Sequence, residues 1–147
     1  MSEGGHMRTI VVGVDGSAGS QGALEFAAGE AAAHGATLRL VSAWEVPTNV
    51  LAGGMVPDLY AGFEAEALRL LGDAAARVRE LEPAVAVEQK AVEGHAGNAL
   101  VDETENADLV VIGRRGHGGF AELLLGSISH QVADHARCPV VIVPPAA

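Results

Sequence analysis

The chain has 147 residues, of which 49% are hydrophobic and 19% are charged, a composition typical of a globular domain and not of a disordered chain. Its formal net charge of -10 argues against nucleic acid and anionic membranes as general partners, because both repel an acidic surface. No apolar run reaches the ~18 residues that cross a bilayer. The single cysteine, Cys138, excludes an intrachain disulfide. We therefore expect one cytoplasmic domain over residues 8–147, preceded by a loose polar tail at 1–7.

Strand and helix patterns alternate along the chain. Short β-branched or apolar runs predict five strands, at 10–14, 38–44, near 85–90, at 109–112 and at 140–143. Helical periodicity predicts four helices, one capped by Ser17 or Ser20 and ended by Gly35, one at 58–81, a short one at 98–106 and one that begins at Ser127. Within the third of these helices, Glu103 and Glu105 are interpreted as part of a solvated face.

This alternation predicts an α/β fold, an open parallel doubly wound sheet of five strands with helices on both faces. In such sheets ligands bind beyond the carboxyl ends of the strands, where the strand order changes direction. Asp15 follows the first predicted strand and Gly113 ends the fourth. If these two strands are neighbours, both residues face one crevice.

The stretch from Val110 to Ala136 carries the clearest signal for a ligand. A buried strand runs into a glycine-rich loop with basic residues, and the chain then enters a helix. Glycines let the backbone approach a ligand without Cβ clashes, and the free N–H groups of a helix start attract anions. The stretch therefore predicts a phosphate site. Its candidate residues are Gly113, Arg114, Arg115, Gly116, His117, Gly126, Ser127 and Ser129.

Both parts of this candidate site have a structural alternative. Asp15 would contact an adenine amino group, a ribose hydroxyl or a metal-bound water, since a carboxylate beside phosphates is unfavourable. Alternatively, Asp15 only closes the turn into the first helix. The loop could likewise be a flexible glycine segment with a capping serine, which explains one or two of its features but not all of them.

Several enzyme classes lack their motifs in this chain. There is no G-x-x-x-x-G-K-[ST], and the one lysine, Lys90, lies in the third predicted strand. There is also no G-x-S-x-G nucleophile elbow and no G-x-G-x-x-G after the first strand. Cys138 is interpreted as a buried structural thiol and not as a nucleophile.

The residues named above resemble those of the universal stress proteins. Nucleotide-binding members of that family share the pattern G-x2-G-x9-G-[ST], which falls here on Gly113, Gly116 and Gly126–Ser127. The opening VVGVDGS and the ending GSISHQVADHARCPVVIVP also match, so that the resemblance covers nearly the whole chain. It implies a sheet in the order 3-2-1-4-5 that binds ATP without a strong catalytic apparatus.

Carried over by motif position, the resemblance implies further contacts. Asp15 would meet the adenine or ribose end of the ligand, Val41 would meet the base through its backbone, and Ile128 would contribute its N–H. Gly13 and Val14, which lead into Asp15, belong to the same predicted site. Arg114 stands where many members carry serine or threonine, so that it either adds charge for phosphate or points to solvent.

The resemblance also implies a homodimer through the last strand, Pro139–Val143, an apolar edge suited to pairing. We expect an ATP-binding regulatory or binding module of the stress response, with or without Mg²⁺ and with little or no hydrolysis. One alternative is a slow Mg²⁺-dependent ATPase of the same fold. Another is a nucleotide-free homodimeric scaffold in which the glycine loop is structural.

Overall fold

One parallel sheet organises the computed structural model, which describes residues 7–47, 53, 57–114 and 125–145. Its strands are β1 (Thr9–Gly13), β2 (Thr37–Trp44), β3 (Val87–Glu93), β4 (Leu109–Gly113) and β5 (Val140–Val143). The α-helices of the described residues are α1 (Ala18–His34), α2 (Pro57–Leu81), α3 (Ala96–Glu103) and α4 (Ser127–His135), with a 3₁₀ turn at Thr104–Asn106. The strand order is β3-β2-β1-β4-β5, which confirms the predicted fold class and strand order and makes β1 and β4 neighbours.

The first helix begins and ends at residues that the sequence marks. The Ser17 side chain accepts a hydrogen bond from the Ser20 N–H at 3.1 Å, so that Ser17, and not Ser20, is the N-cap. Gly35 follows the helix with φ +65°, a left-handed conformation that costs glycine little and other residues more. The helix is thereby fixed at both ends by local contacts.

The apolar core lies on both faces of the sheet. On one face α1 and α2 pack against the strands, with fully buried Leu24, Leu71 and Val78 among them. On the other face a smaller cluster joins β1 and β4 to α3 and α4 through residues such as Leu100 and Val132. Burial of each large aliphatic side chain stabilises the fold by about 1.5–3 kcal/mol relative to exposure, and this double burial is typical of a doubly wound sheet.

Successive side chains of β4 alternate between the two core clusters. Leu109 and Val111 belong to the cluster beneath α1 and α2, and Val110 and Ile112 belong to the cluster beneath α3 and α4. This alternation is the ordinary consequence of strand geometry. It determines which helix layer the residues at the end of β4 face.

The edge strand β3 differs from the sequence prediction at its start. Val85 does not enter the sheet, because its N–H donates to the Glu82 carbonyl at 3.1 Å in the turn after α2. The strand begins two residues later, at Val87, and pairs with β2 from Leu38↔Val87 to Trp44↔Glu93. Its exposed Glu88 and Lys90 agree with the predicted wet face at a sheet edge.

Glu103 corrects the interpretation of a solvated face on α3. Its side chain is only 8% exposed, and its carboxylate lies 3.1 Å from Arg39 Nη1 and 2.5 Å from Lys90 Nζ. The short helix places this residue against the basic side chains of β2 and β3, so that the acid is buried between two cations. Glu105, by contrast, is exposed as predicted and lies 3.5 Å from Arg137.

None of the helices in the described ranges is long and apolar enough to cross a membrane.

Candidate functional site

The turn after β1 is fixed by hydrogen bonds among Asp15, Ser17 and Ser20. Asp15 Oδ1 accepts from the Ser17 N–H at 2.9 Å and from the Ser17 hydroxyl at 2.6 Å. The Ser20 hydroxyl accepts from the Asp15 N–H at 3.2 Å and donates to the Gly13 carbonyl at 3.3 Å. These are the contacts of the turn-closing alternative for Asp15. They also hold its carboxylate in one orientation at the carboxyl end of β1.

Sequence reasoning gave Ser20 only a possible capping role. The structure instead buries Ser20, with 6% of the residue exposed, and makes its hydroxyl a link between both sides of the turn. The spacing D-x-S-x-x-S at 15–20 is the signal that could have indicated this, because it places two hydroxyls one helical turn apart beside the carboxylate.

Val14 and Val41 connect the ends of β1 and β2. The Val14 N–H donates to the Val41 carbonyl at 2.8 Å, and Val41 is 2% exposed. The predicted base contact through the Val41 backbone stays a prediction. If its carbonyl makes that contact, it uses the second lone pair of the oxygen.

The structure shows a packing reason for the glycine at position 113, in addition to the predicted ligand contact. Its φ is not positive; among the described glycines, a positive φ occurs at Gly16, Gly35 and Gly94. A Cβ at Gly113 would lie 2.7 Å from the carbonyl carbon of Gly19 and 2.8 Å from its oxygen. Gly113 is therefore needed because the start of α1 packs directly on the end of β4. Ligand contact at Gly113 stays a prediction.

The two ends of the predicted phosphate loop are joined at Arg114. Its N–H donates to the Val143 carbonyl at 2.9 Å, and its carbonyl accepts from the Gly126 N–H at 2.9 Å. The same carbonyl accepts from the Ser129 hydroxyl at 2.5 Å. Arg115, Gly116 and His117 lie outside the described residues.

Ser129 has a structural role that the sequence did not indicate. Only 3% of the residue is exposed, and its hydroxyl lies within hydrogen-bond distance of the Arg114 carbonyl and, at 3.2 Å, of the Gly126 carbonyl. The hydroxyl proton is therefore directed at the backbone of the loop ends. The prediction that this hydroxyl donates to phosphate is untested, and a phosphate would compete with these carbonyls for the proton.

The start of α4 offers backbone donors at the same edge of the sheet. Gly126 is the N-cap, without a side-chain cap, and its carbonyl accepts the His130 N–H at 2.9 Å. The N–H groups of Ser127, Ile128 and Ser129 precede this first intrahelical bond and belong to the helix start, where the helix dipole favours an anion. Ser127 is exposed and Ile128 is half-buried.

The sheet brings these parts together. β1 pairs with β4 in the register Ile10↔Leu109 to Val12↔Val111, so that Asp15, Gly113 and the start of α4 share the carboxyl edge. Trp44, at the end of β2, lies near Tyr60 of α2, with ring centroids 6.1 Å apart at 88°. The described ranges contain no group of three or more His, Cys, Asp or Glu residues that could hold a metal ion.

Known proteins share this sequence and this fold. The universal stress protein family model matches residues 6–144. Universal stress protein Rv2623 of Mycobacterium tuberculosis is 35% identical over 134 residues, which cover 90% of this chain and 44% of that protein. Universal stress protein Rv2624c of the same organism is 34% identical over 137 residues, which cover 93% of this chain and 48% of that protein. The chain thus spans less than half the length of these curated relatives.

Solved structures match over nearly their whole length. A universal stress protein crystallised in complex with cAMP is 31% identical, with a TM-score of 0.73 over 96% of this chain and 99% of that one. Universal stress protein UspA of Lactobacillus plantarum is 25% identical, with a TM-score of 0.78 over 95% and 99%. The chain belongs to the universal stress protein family.

Proposed function

We propose that the chain binds an adenine nucleotide, ATP in the first place, at the carboxyl ends of β1 and β4. In this proposal it acts as a cytoplasmic regulatory or binding module of the stress response, with little or no hydrolysis. The nucleotide-bound relative described above supports the ligand class. ATP is inferred from the motif residues of this chain, and the stress-response role is inferred from its family.

The adjacency of β1 and β4 is the observation that carries the proposal. It brings a carboxylate, Asp15, to the same sheet edge as the backbone donors at the start of α4. A carboxylate suits the adenine amino group or the ribose hydroxyls, and helix N–H groups suit phosphate. Both ends of a nucleotide thus have matching partners within one crevice.

Calorimetric titration of the purified chain with ATP is the direct test. We expect saturable binding, and no binding heat into the millimolar range would overturn the proposal. AMP and cAMP are titrated in parallel, because saturation by one of these but not by ATP would retain a nucleotide site and reject ATP as its ligand.

The Asp15→Asn variant tests where the nucleotide binds. The asparagine oxygen can still accept from the Ser17 N–H and hydroxyl, so that these two contacts are kept while the charge is lost. We expect about tenfold weaker ATP binding, the difference between a charged and a neutral hydrogen bond. Glu105→Gln removes the same charge at an exposed position that pairs with Arg137 and should leave the affinity unchanged.

The slow Mg²⁺-dependent ATPase is the alternative with the same site. The one lysine of the chain, Lys90, lies beside Glu103 on the edge strand β3 and not at the start of α4. We therefore expect little phosphoryl transfer, because such reactions depend on positioned cations and a positioned water. Mg²⁺ would be held mainly by the phosphate oxygens, with Asp15 as the nearest candidate carboxylate. ADP release measured over hours with Mg²⁺ tests this, and turnover near 1 per second would establish an enzyme.

The assembly that we propose is a homodimer through Pro139–Val143. β5 is an edge strand, and all four of its residues are only half-buried although all four are apolar. An edge of this kind exposes unpaired backbone groups and apolar side chains, which a second copy can cover across a two-fold axis. The alternative of a nucleotide-free scaffold predicts this dimer but no nucleotide binding. The nucleotide titrations described above therefore distinguish the scaffold from the nucleotide-binding module.

A further inference from the structure

Arg114 carries a buried donor that the fold does not use. Its Nε is buried and has no hydrogen-bond partner in the described part of the chain. Its backbone, by contrast, is bonded on both sides, to Val143 and to Gly126. An unsatisfied buried donor is unfavourable, and native structures rarely retain one without a reason. Nε is therefore withdrawn from solvent, while the residue as a whole is half-buried.

The position of Arg114 places it at the proposed phosphate end. Its N–H bond to Val143 continues the pairing of β4 with β5, so that the strand alternation extends to it. Val110 and Ile112 face the layer of α3 and α4, and Arg114 follows on that face. Its own carbonyl accepts from Ser129 in the first turn of α4.

Six other arginines lie in the described residues; four of them pair with carboxylates, and Arg8 and Arg79 are exposed to solvent. Arg39, Arg69, Arg77 and Arg137 each lie within 3.5 Å of a carboxylate oxygen. None of these ion pairs involves Arg114. In a chain with a net charge of -10, an arginine beside a helix start and without a carboxylate partner among the described residues is a place for an added anion.

We infer that Arg114 sets the specificity of the site for the number of phosphate charges. This inference rests on the proposed nucleotide site. The guanidinium offers its donors to the phosphates, with a strength that grows with the charge it meets. The ligand class is therefore a nucleoside polyphosphate, and the chain should prefer ATP over AMP and cAMP.

Titration of Arg114→Ala with ATP, ADP, AMP and cAMP tests the inference. We expect ATP affinity to fall about 10- to 100-fold, the range for a lost charged hydrogen bond, and AMP and cAMP affinity to fall much less. The ATP-to-AMP preference of the wild type should therefore collapse. Since truncation removes an unpartnered donor, the variant should unfold at the same or a higher denaturant concentration.

Two further variants make the result specific. Arg137→Ala removes the same charge at an exposed side chain and should keep the wild-type preference. Arg114→Lys keeps the positive charge but lacks the planar guanidinium, so that it should keep part of the ATP-to-AMP preference. This variant also tests the inference if Arg114→Ala does not fold. ATP binding by the wild type should weaken more steeply with salt than ATP binding by Arg114→Ala.

Three outcomes would overturn the inference. An unchanged ATP-to-AMP ratio in Arg114→Ala would show that this side chain does not contact the phosphates. A wild type that binds ATP and AMP equally would reject the specificity and retain the nucleotide site. A wild type that binds no adenine nucleotide would reject the proposed function as well, so that the two failures are distinguishable.

Discussion

Gly113 and Gly19 are in direct backbone contact, although 93 residues separate them in the sequence. Both residues lie at the carboxyl edge of the sheet, one at the end of β4 and one in the first turn of α1. The contact fixes the start of α1 over the end of β4. It therefore keeps the turn that carries Asp15 next to the end of β4.

Gly113→Ala should destabilise the protein strongly. Its Cβ would meet the Gly19 backbone at 2.7 Å, and two packed backbones cannot separate without loss of neighbouring contacts. We expect a loss of about 2–4 kcal/mol in the free energy of unfolding, in the range of overpacked core positions or above. Gly29→Ala in α1 is the matched control, since nothing lies within 4 Å of its Cβ. It should stabilise the protein by about 0.5–1 kcal/mol. Urea unfolding measures both changes, and equal stability of the two variants would contradict the packing argument.

Glu103→Ala should lower the free energy of unfolding more than Glu88→Ala does. Both carboxylates lie near Arg39, at 3.1 and 3.3 Å, but their side chains are 8% and 52% exposed. Loss of the buried acid removes the partner that the half-buried Arg39 and the exposed Lys90 share, and we expect it to cost about 1.5–3 kcal/mol, the range for hydrogen bonds to a charged group. Loss of the exposed acid should cost less than about 1 kcal/mol. The comparison of unfolding midpoints decides this, and similar shifts in both variants would argue that Glu103 is solvated in solution.

Cys138 should react slowly with thiol reagents near neutral pH. Burial raises the pKa of its thiol above the ordinary value, and the charge of Asp108 adds to the shift. Because only the thiolate is nucleophilic, alkylation by iodoacetamide should keep rising with pH beyond the pH at which it levels off for the unfolded chain. Alkylation followed by mass spectrometry, with and without concentrated guanidinium chloride, measures this difference.

The raised pKa of the Cys138 thiol also makes the stability of the folded chain depend on pH. The folded chain retains the Cys138 proton at pH values at which the unfolded chain has lost it. The contribution is therefore fully present below the ordinary thiol pKa and is lost as the pH rises through the raised value. Cys138→Ser should remove this loss of stability at alkaline pH. If the free energy of unfolding of the variant falls with pH as steeply as that of the wild type, the loss is not due to Cys138.

Val141→Arg should convert the proposed dimer to a monomer. The substitution places a charge on the edge strand β5, where a second copy would have to bury it. Sedimentation equilibrium measures the mass. Gln89→Arg adds the same charge to the opposite edge strand, β3, and should leave the dimer intact. Because Val141 also packs against the core, a thermal unfolding curve must show that the variant is folded. A folded variant that remains dimeric would place the interface elsewhere.

Much of the fold could be predicted from local patterns. β-branched runs and helical periodicity indicate each element to within about three residues, since both patterns repeat within one element. The sequence pattern predicts too early a start for β3, because Val85 continues the apolar alternation, whereas the structure shows its N–H in a turn. The strand order came from the family resemblance and not from any local pattern.

The contacts that shape the candidate site were harder to predict. The sequence predicts a glycine at 113 for the sake of a ligand, and the structure adds the backbone of Gly19 as a neighbour that leaves no room for a Cβ. Glu103 was assigned to solvent because its helix pattern could not show the basic side chains of β2 and β3 beneath it. The Gly19 backbone and these basic side chains are both distant in the sequence from the residues that they contact, and a local sequence pattern does not show such contacts.

The Arg114 carbonyl accepts two hydrogen bonds, one from the Gly126 N–H and one from the Ser129 hydroxyl. These bonds bear on which changes of sequence the domain can tolerate. The bonds from Gly126 and Ser129 join the chain before and after residues 115–125, so that folding alone closes this segment. The entropy of loop closure then depends only weakly on the number of residues enclosed. The two anchor points can therefore tolerate a change in the number of residues between them, whereas the proposed nucleotide site requires the spacing of Gly113, Gly116 and Gly126.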